Sequence, residues 1–160
     1  MGLEIERKFL VRADELPSLE DGVLITQGYI AQTEDFTVVR VRLVRYLSAT
    51  ARRSPMGPTD KGYITIKGAN NGISRSEYEY SIPVSDASEM LAMCNKTLIK
   101  TRFEYDYEGH TFEIDVFRGD HTGLIVCEVE LDSVDEELIL PSWIATEVSD
   151  DPQYYNSNLI

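Results

Sequence analysis

Only two cysteines and two histidines occur in the 160 residues. Cys94 and Cys127 have neither a C-x-x-C spacing nor the density of a disulfide scaffold, so they read as buried free thiols. His110 and His121 fall in glycine-containing turns and read as exposed side chains without a catalytic role. There is no G-x-x-x-x-G-K-[ST] loop, no H-E-x-x-H helix and no nucleophile elbow, which leaves P-loop, zincin and catalytic-triad chemistry without a motif. No apolar run is long enough to span a bilayer, and no signal-type apolar region precedes the first charged strand. A cytoplasmic protein without a membrane partner is therefore expected. Positive charge is scarce as well: the net charge is −13, which repels polyanions at long range and argues against a nucleic-acid partner.

What the chain does have is charge at every second position inside strand-like segments. Glu4, Glu6 and Lys8 open the series in LEIERKFLV, and Arg40 and Arg42 follow in VVRVRLV. Glu77 and Glu79 lie in SEYEYSI, Lys100 and Arg102 in LIKTRFE, Glu113 and Asp115 in FEIDVF, and Glu128 and Glu130 in VCEVEL. Residues two apart share one face of a strand, so these charges form one wall while Ile5, Val39, Val41, Tyr78, Ile114 and Val129 form the other. A single such pair fits a solvated outer face, but six segments with like-signed pairs do not. Like charges at this spacing repel unless a ligand of opposite sign compensates them. The expected ligand set is thus a metal cation for the carboxylates and an anion for the Arg and Lys groups.

At this length, with 42% hydrophobic residues, one domain over residues 1–160 is expected. Strands are predicted at Leu3–Val11, Gly22–Gln32, Thr37–Tyr46, Tyr63–Lys67, Ser74–Ile82, Thr97–Tyr107, Thr111–Phe117 and Leu124–Leu131. Ser48–Gly62 reads as a long mobile loop. Ser85 and Asp86 read as N-cap residues of a helix whose apolar stripe is Met90, Leu91, Met93 and Cys94. Pro141–Val148 is predicted as a short helix with Trp143 and Ile144 packed inward. The fold class is mainly β (α+β): an eight-stranded antiparallel closed barrel, or tunnel, with a few external helices and its charged faces inside. An open sheet with the charged face in solvent is the alternative.

Clustered carboxylates beside Lys and Arg suit a hard divalent cation carrying a phosphate chain. Phosphoryl transfer needs mostly positioning and charge neutralisation, which such a wall supplies. The ordered set Glu4-Ile5-Glu6-Arg7-Lys8, QGYI, RVR, YITIKG, SRSEYEY, LIKTRFEY, FEIDVF and CEVEL resembles the CYTH family, the triphosphate tunnel metalloenzymes. The likeness runs from Leu3 into the tail EVSDDPQYYNSNL, which resembles the ending of short bacterial members.

The resemblance implies a tunnel that binds a linear triphosphate and depends on Mg²⁺ or Mn²⁺, two per site. It implies phosphate contacts from Lys8, Arg40, Arg42, Lys67, Lys100 and Arg102, with Lys8 and Tyr29 as a catalytic pair. It assigns metal to Glu4, Glu6, Glu128 and Glu130, with Glu77, Glu79 and Asp115 as direct or water-mediated ligands. Inorganic tripolyphosphate is the preferred substrate, hydrolysed to pyrophosphate and phosphate. Thiamine triphosphate hydrolysis, cyclisation of ATP by a class IV-type adenylate cyclase, and a non-catalytic polyphosphate-binding module are the alternatives. The expected partner is the small-molecule triphosphate, with a homodimer left open. Arg52 and Arg53, in the longer Arg45–Gly62 segment, are expected near a tunnel mouth, where they would help admit an anion. Replacing both with Ala is expected to raise KM for tripolyphosphate in steady-state kinetics; unchanged kinetics would mark the segment as a solvated insertion.

Overall fold

The structure, a computed structural model, describes residues 2–47 and 60–160. Its elements are β1 (Glu4–Val11), β2 (Val23–Gln32), β3 (Val38–Tyr46), β4 (Lys61–Lys67), β5 (Ser74–Arg75), β6 (Glu77–Ile82), the helix α1 (Val84–Met93), β7 (Thr97–Tyr107), β8 (His110–Phe117), β9 (Ile125–Glu130) and β10 (Ile144–Glu147). All strand pairs are antiparallel, and neighbours follow the order β10-β1-β9-β8-β7-β2-β3-β4-β6. The expected mainly β tunnel is present, with β5 and β10 as short additions to the eight longer strands.

The ladder is not a continuous ring. Between β6 and β1 the wall is joined through β5, where Glu4 pairs with Arg75 and Ile5 with Ser74, and through the Glu6 N–H, which donates to the Ile73 carbonyl at 2.9 Å. The backbones of Gly2 and Glu77 add reciprocal bonds of 3.0 and 3.4 Å. Elsewhere local chemistry sets the connections. Glu108 and Gly109 both adopt positive φ, 46° and 82°, which is what a two-residue turn needs to match the twist of the β7–β8 hairpin.

Most of the apolar core lies outside the strand wall. Ile5 and Phe9 of β1, Phe112 and Ile114 of β8, and Cys127 and Val129 of β9 pack with Leu131, Trp143 and Ile144 in one buried cluster. On the opposite flank α1 covers Val41 and Leu43 of β3 with Ala87 and Leu91. A third cluster lies on the inner face: Leu98 opposes Gln27, Phe117 opposes Lys100 and Val126 opposes Asp115, and Leu159 and Ile160 of the tail pack against them. Part of the outer face is uncovered, however: Ile66, Tyr78 and Tyr80 are exposed, so Tyr78 lacks the expected cover.

Four local expectations need correction. Residues Pro141–Val148 do not form a helix. The free edge of β1 pairs Phe9 with Glu147 and Val11 with Ile144, and that edge recruits a strand while Trp143 and Ile144 still pack inward. Helix α1 starts at Val84, with Pro83 in the N-cap position and no side-chain cap bond, because the proline ring already fixes φ at −56°. Its packed face is Ala87 and Leu91 with Met90 and Cys94, whereas Met93 is 77% exposed, one residue off the i, i+4 stripe. His110 and His121 are only half-exposed: His110 Nε2 meets Glu136 Oε1 at 2.8 Å and His121 Nε2 meets the Leu159 carbonyl. The predicted loop through residue 59, with Arg52 and Arg53, lies outside the described residues, and Lys61 and Gly62 belong to β4.

Gly62 sets how closely α1 approaches the sheet. A Cβ there would lie 2.8 Å from Ala87 Cβ and 2.9 Å from the Ile82 carbonyl oxygen, and the latter is backbone that cannot yield easily. Gly62→Ala is expected to cost about 1–3 kcal/mol through overpacking, read as a lower Tm in thermal denaturation.

Candidate active site

Directly opposed residues of antiparallel strands share a face, so the register reads as a map of the interior. Glu6 opposes Glu130, and Lys8 opposes Glu128. Glu113 opposes Glu128, Arg102 opposes Asp115, Gln27 opposes Arg42, and Tyr29 opposes Arg40. Arg40 in turn opposes Thr65, and Lys67 opposes Glu77. The alternating charges therefore form one belt around a cavity of about 260 Å³.

Three groups of ion pairs organise the belt. Lys67 Nζ lies 2.8 Å from Glu4 Oε1 and 3.1 Å from Glu77 Oε2, with Arg75 Nε 3.3 Å from Glu4. Burial pushes the Glu4 carboxyl up, but Lys67 beside it wins and holds it at about 2. Burial and a hydrogen bond with Glu4 raise Glu77 instead. In the second group Arg102 grips Asp115 with both Nε and Nη2, at 2.7 and 2.8 Å, and Glu113 at 2.6 Å. Lys100 Nζ completes it at 2.6 Å from Asp115. Lys100 and Asp115 are both fully buried; desolvation pulls the ammonium down to about 8 despite Asp115. In the third group Arg40 Nη2 donates to Glu79 at 3.2 Å and to Thr65 Oγ1 at 3.0 Å.

Other charges in the belt lack full compensation. No carboxylate lies within ion-pair distance of Arg42 among the described residues; its Nε and Nη2 donate to the amide oxygen of Gln27 at 3.3 and 3.0 Å. Burial, Arg40 and Arg102 together lower its guanidinium to about 10. Among the described residues the buried Arg40 Nε has no acceptor. On the acidic side Glu6 is pushed well above the usual carboxylate range by burial, Glu128 and Glu4. Its neighbour Glu128 is held well below that range: burial opposes the shift, but Lys8, Lys100 and Arg102 outweigh it. The pair is most stable with a shared proton on the Glu6 side.

Among the described residues, the cavity brings together all but two of those assigned to the site from the sequence. Lys8, Tyr29, Arg40, Arg42, Lys67, Arg102, Glu4, Glu6, Glu77, Glu79, Glu128 and Glu130 line it. Lys100 and Asp115 do not; they sit behind the lining and support Arg102 from below. Sequence reasoning left out Arg75, Glu113, Gln27 and the tail. Glu113 carried the i, i+2 signal with Asp115, while Arg75 and Gln27 lie outside any such pair. The tail enters the cavity through Tyr155, Asn156 and Ser157. Lys8 Nζ donates to the Tyr154 carbonyl at 3.1 Å and Lys100 Nζ to Asn156 Oδ1 at 3.1 Å.

A divalent cation suits this donor set in chemistry: the carboxylates are hard oxygen ligands, and the positive charge of a cation would replace the proton that Glu6 and Glu128 share. Among the described residues no three His, Cys, Asp or Glu side chains already stand close enough to hold one. A strand-walled cavity of this size, lined by paired charges and a carboxylate-free arginine, defines an anion-binding tunnel.

Residues 2–156 match the CYTH domain, and the chain belongs to that family. It is 45% identical over 162 residues to an inorganic triphosphatase of Acetivibrio thermocellus, covering all of this chain and 94% of that protein. An inorganic triphosphatase of Nitrosomonas europaea is 34% identical over 165 residues, covering 98% and 95% of the two chains. The solved inorganic triphosphatase NE1496 superposes with a TM-score of 0.62 at 30% identity, over 97% of this chain and 95% of that one. Metal dependence is general among the triphosphatases of this family.

Since Glu6 is raised, the folded state takes up its proton at a higher pH than the unfolded chain. Its contribution to stability is therefore fully present below the ordinary carboxylate range and is lost as pH rises through the folded value. Glu6→Gln mimics the protonated form. It is expected to raise the Tm of the metal-free protein at pH 7.5 by about 2–4 °C per kcal/mol of repulsion relieved, measured by calorimetry. A lower Tm would show that Glu6 is not strained by Glu128.

Proposed function

We propose that the protein is a metal-dependent inorganic triphosphatase that cleaves tripolyphosphate to pyrophosphate and phosphate inside its tunnel, as one domain over residues 1–160. The observation that carries this reading is Arg42. A half-buried guanidinium that lines the cavity with no carboxylate partner of its own among the described residues leaves positive charge for a ligand to neutralise, and Arg40 Nε beside it is an unmet donor of the same kind. The full-length likeness to two inorganic triphosphatases supports the same substrate.

In this reading Arg40, Arg42 and Arg102 bind the phosphate oxygens with Lys8 and Lys67, which neutralise the chain and stabilise charge developing on the leaving pyrophosphate. Lys8 stays protonated: burial opposes it, but Glu128 and Glu6 raise it, so it acts as a fixed positive charge rather than a base. Lys100 and Asp115 set the position of Arg102 from behind the lining. Mg²⁺ or Mn²⁺ would be held by Glu6, Glu128 and Glu130 together with Glu4, and by Glu77 and Glu79 directly or through water. Bound there, the metal supplies charge neutralisation at the phosphates and a more acidic water nucleophile. The acidic overall charge argues against nucleic acid as a general partner. Among the described residues no helix is long and apolar enough to cross a membrane.

Phosphate release is expected from tripolyphosphate with Mg²⁺ or Mn²⁺ and not with chelator, and more slowly from ATP, thiamine triphosphate and pyrophosphate. Glu4→Gln is expected to lower kcat more than about 100-fold, a loss of roughly 3 kcal/mol of transition-state stabilisation, with the far-ultraviolet circular dichroism unchanged. Cyclic AMP formed from ATP at a comparable rate would replace this reading with a cyclase. Metal-dependent tripolyphosphate binding without release would replace it with a binding module.

A further inference from the structure

Gln27 is fully buried, projects from β2 into the charged interior, and touches two of the groups assigned to the reaction. Its amide oxygen accepts from Arg42 Nε and Nη2, at 3.3 and 3.0 Å, and its amide nitrogen donates to the Tyr29 hydroxyl at 3.1 Å. Each of the other arginines that line the cavity is held by a carboxylate: Arg40 by Glu79, Arg75 by Glu4, Arg102 by Asp115, Glu113 and Glu128. At Arg42 alone among them the holding group is neutral.

Resting on the triphosphatase reading, we propose that Gln27 is a positioning residue that fixes Arg42 and Tyr29 while leaving the whole charge of Arg42 to the phosphate chain. A carboxylate at this point would orient the guanidinium equally well, but it would neutralise the group and compete with the substrate for it. The amide satisfies part of the arginine's donor fork and adds no negative charge. Its other end fixes the direction of the tyrosine proton. Because the Tyr29 oxygen accepts from Gln27, its own O–H is free to donate to an anion in the cavity. Tyr29 then acts as a neutral hydrogen-bond donor, in keeping with burial raising its pKa, which Arg40 and Arg42 only partly oppose.

Gln27→Glu keeps the volume and the acceptor toward Arg42, adds a negative charge, and exchanges the amide donor to Tyr29 for a second acceptor. The new carboxylate compensates a half-buried guanidinium, so the metal-free Tm is expected to stay the same or rise. KM for tripolyphosphate with Mg²⁺ is expected to rise at least fivefold, because the anion must now displace an internal ion pair. Binding and stability thus move apart, which a purely structural role for Gln27 would not produce. A smaller change in KM, or a rise in KM accompanied by a lower Tm, overturns the proposal. Gln27→Met provides the second arm: with no polar hold on Arg42 and Tyr29, kcat is expected to fall at least tenfold even where the variant folds, and a kcat within twofold of wild type overturns the positioning role. Wild-type protein inert toward tripolyphosphate would instead overturn the substrate assignment and leave the Tm comparison standing as a test of the Arg42–Gln27 contact.

Discussion

The fold is governed by one constraint: a belt of ionic side chains points into the strand wall, where each charge must find a partner. Removing one member of such a buried pair leaves an uncompensated charge, which costs far more than the pair contributes by itself. The belt meets much of the constraint through basic side chains that each reach several carboxylates. Lys67 sits between Glu4 and Glu77, and Arg102 reaches Asp115, Glu113 and Glu128 from one side chain. Since charged groups occupy most of the interior, most of the hydrophobic drive to fold must be satisfied elsewhere. That accounts for Trp143 and Phe112 packing edge to face outside the sheet at 5.8 Å, and for α1 lying on β3 rather than plugging the tunnel.

Incomplete pairing is where function enters. Lys100 with Asp115 is a closed pair, fully buried and removed from the cavity, and its task is to brace Arg102. Arg42 and Arg40 Nε are unfinished on the basic side, as Glu6 is on the acidic side. A metal-bound triphosphate would carry both signs and complete both at once. The tail meets other basic groups, with Tyr154 and Asn156 offering neutral oxygens to Lys8 and Lys100.

Much of this was legible in the chain itself, because a strand transmits periodicity directly into space. The spacing of Glu4, Glu6 and Lys8, and of Arg40 and Arg42, specified which side chains share the cavity. What sequence could not supply was the pairing across strands. Nothing local distinguishes Asp115, which is sealed behind Arg102, from Glu113, which lines the cavity, although both belong to FEIDVF. Gln27 went unnoticed because an uncharged residue breaks no pattern, and Arg75 because it stands alone in a two-residue strand. The segment Pro141–Val148 was misread for a related reason. Its structure is dictated by an open backbone edge on β1, a partner more than a hundred residues away.

The seam beside β1 has a consequence for the order in which the protein takes shape. Strand β1 precedes all the other strands in chain order, yet its long ladder is with β9, and its other edge waits for β10. Before those segments are made, its partners among the described residues are the short β5 contact, the Gly2–Glu77 and Glu6–Ile73 backbone bonds and the Lys67–Glu4 ion pair. Hairpins such as β2–β3 and β7–β8 close small loops and can form during synthesis, whereas β1 must wait for contacts at the largest sequence separation in the molecule. The carboxylates of Glu4 and Glu6 are thus made well before the strands that secure them. A nascent chain remains without an assembled cavity until β9 and β10 have followed.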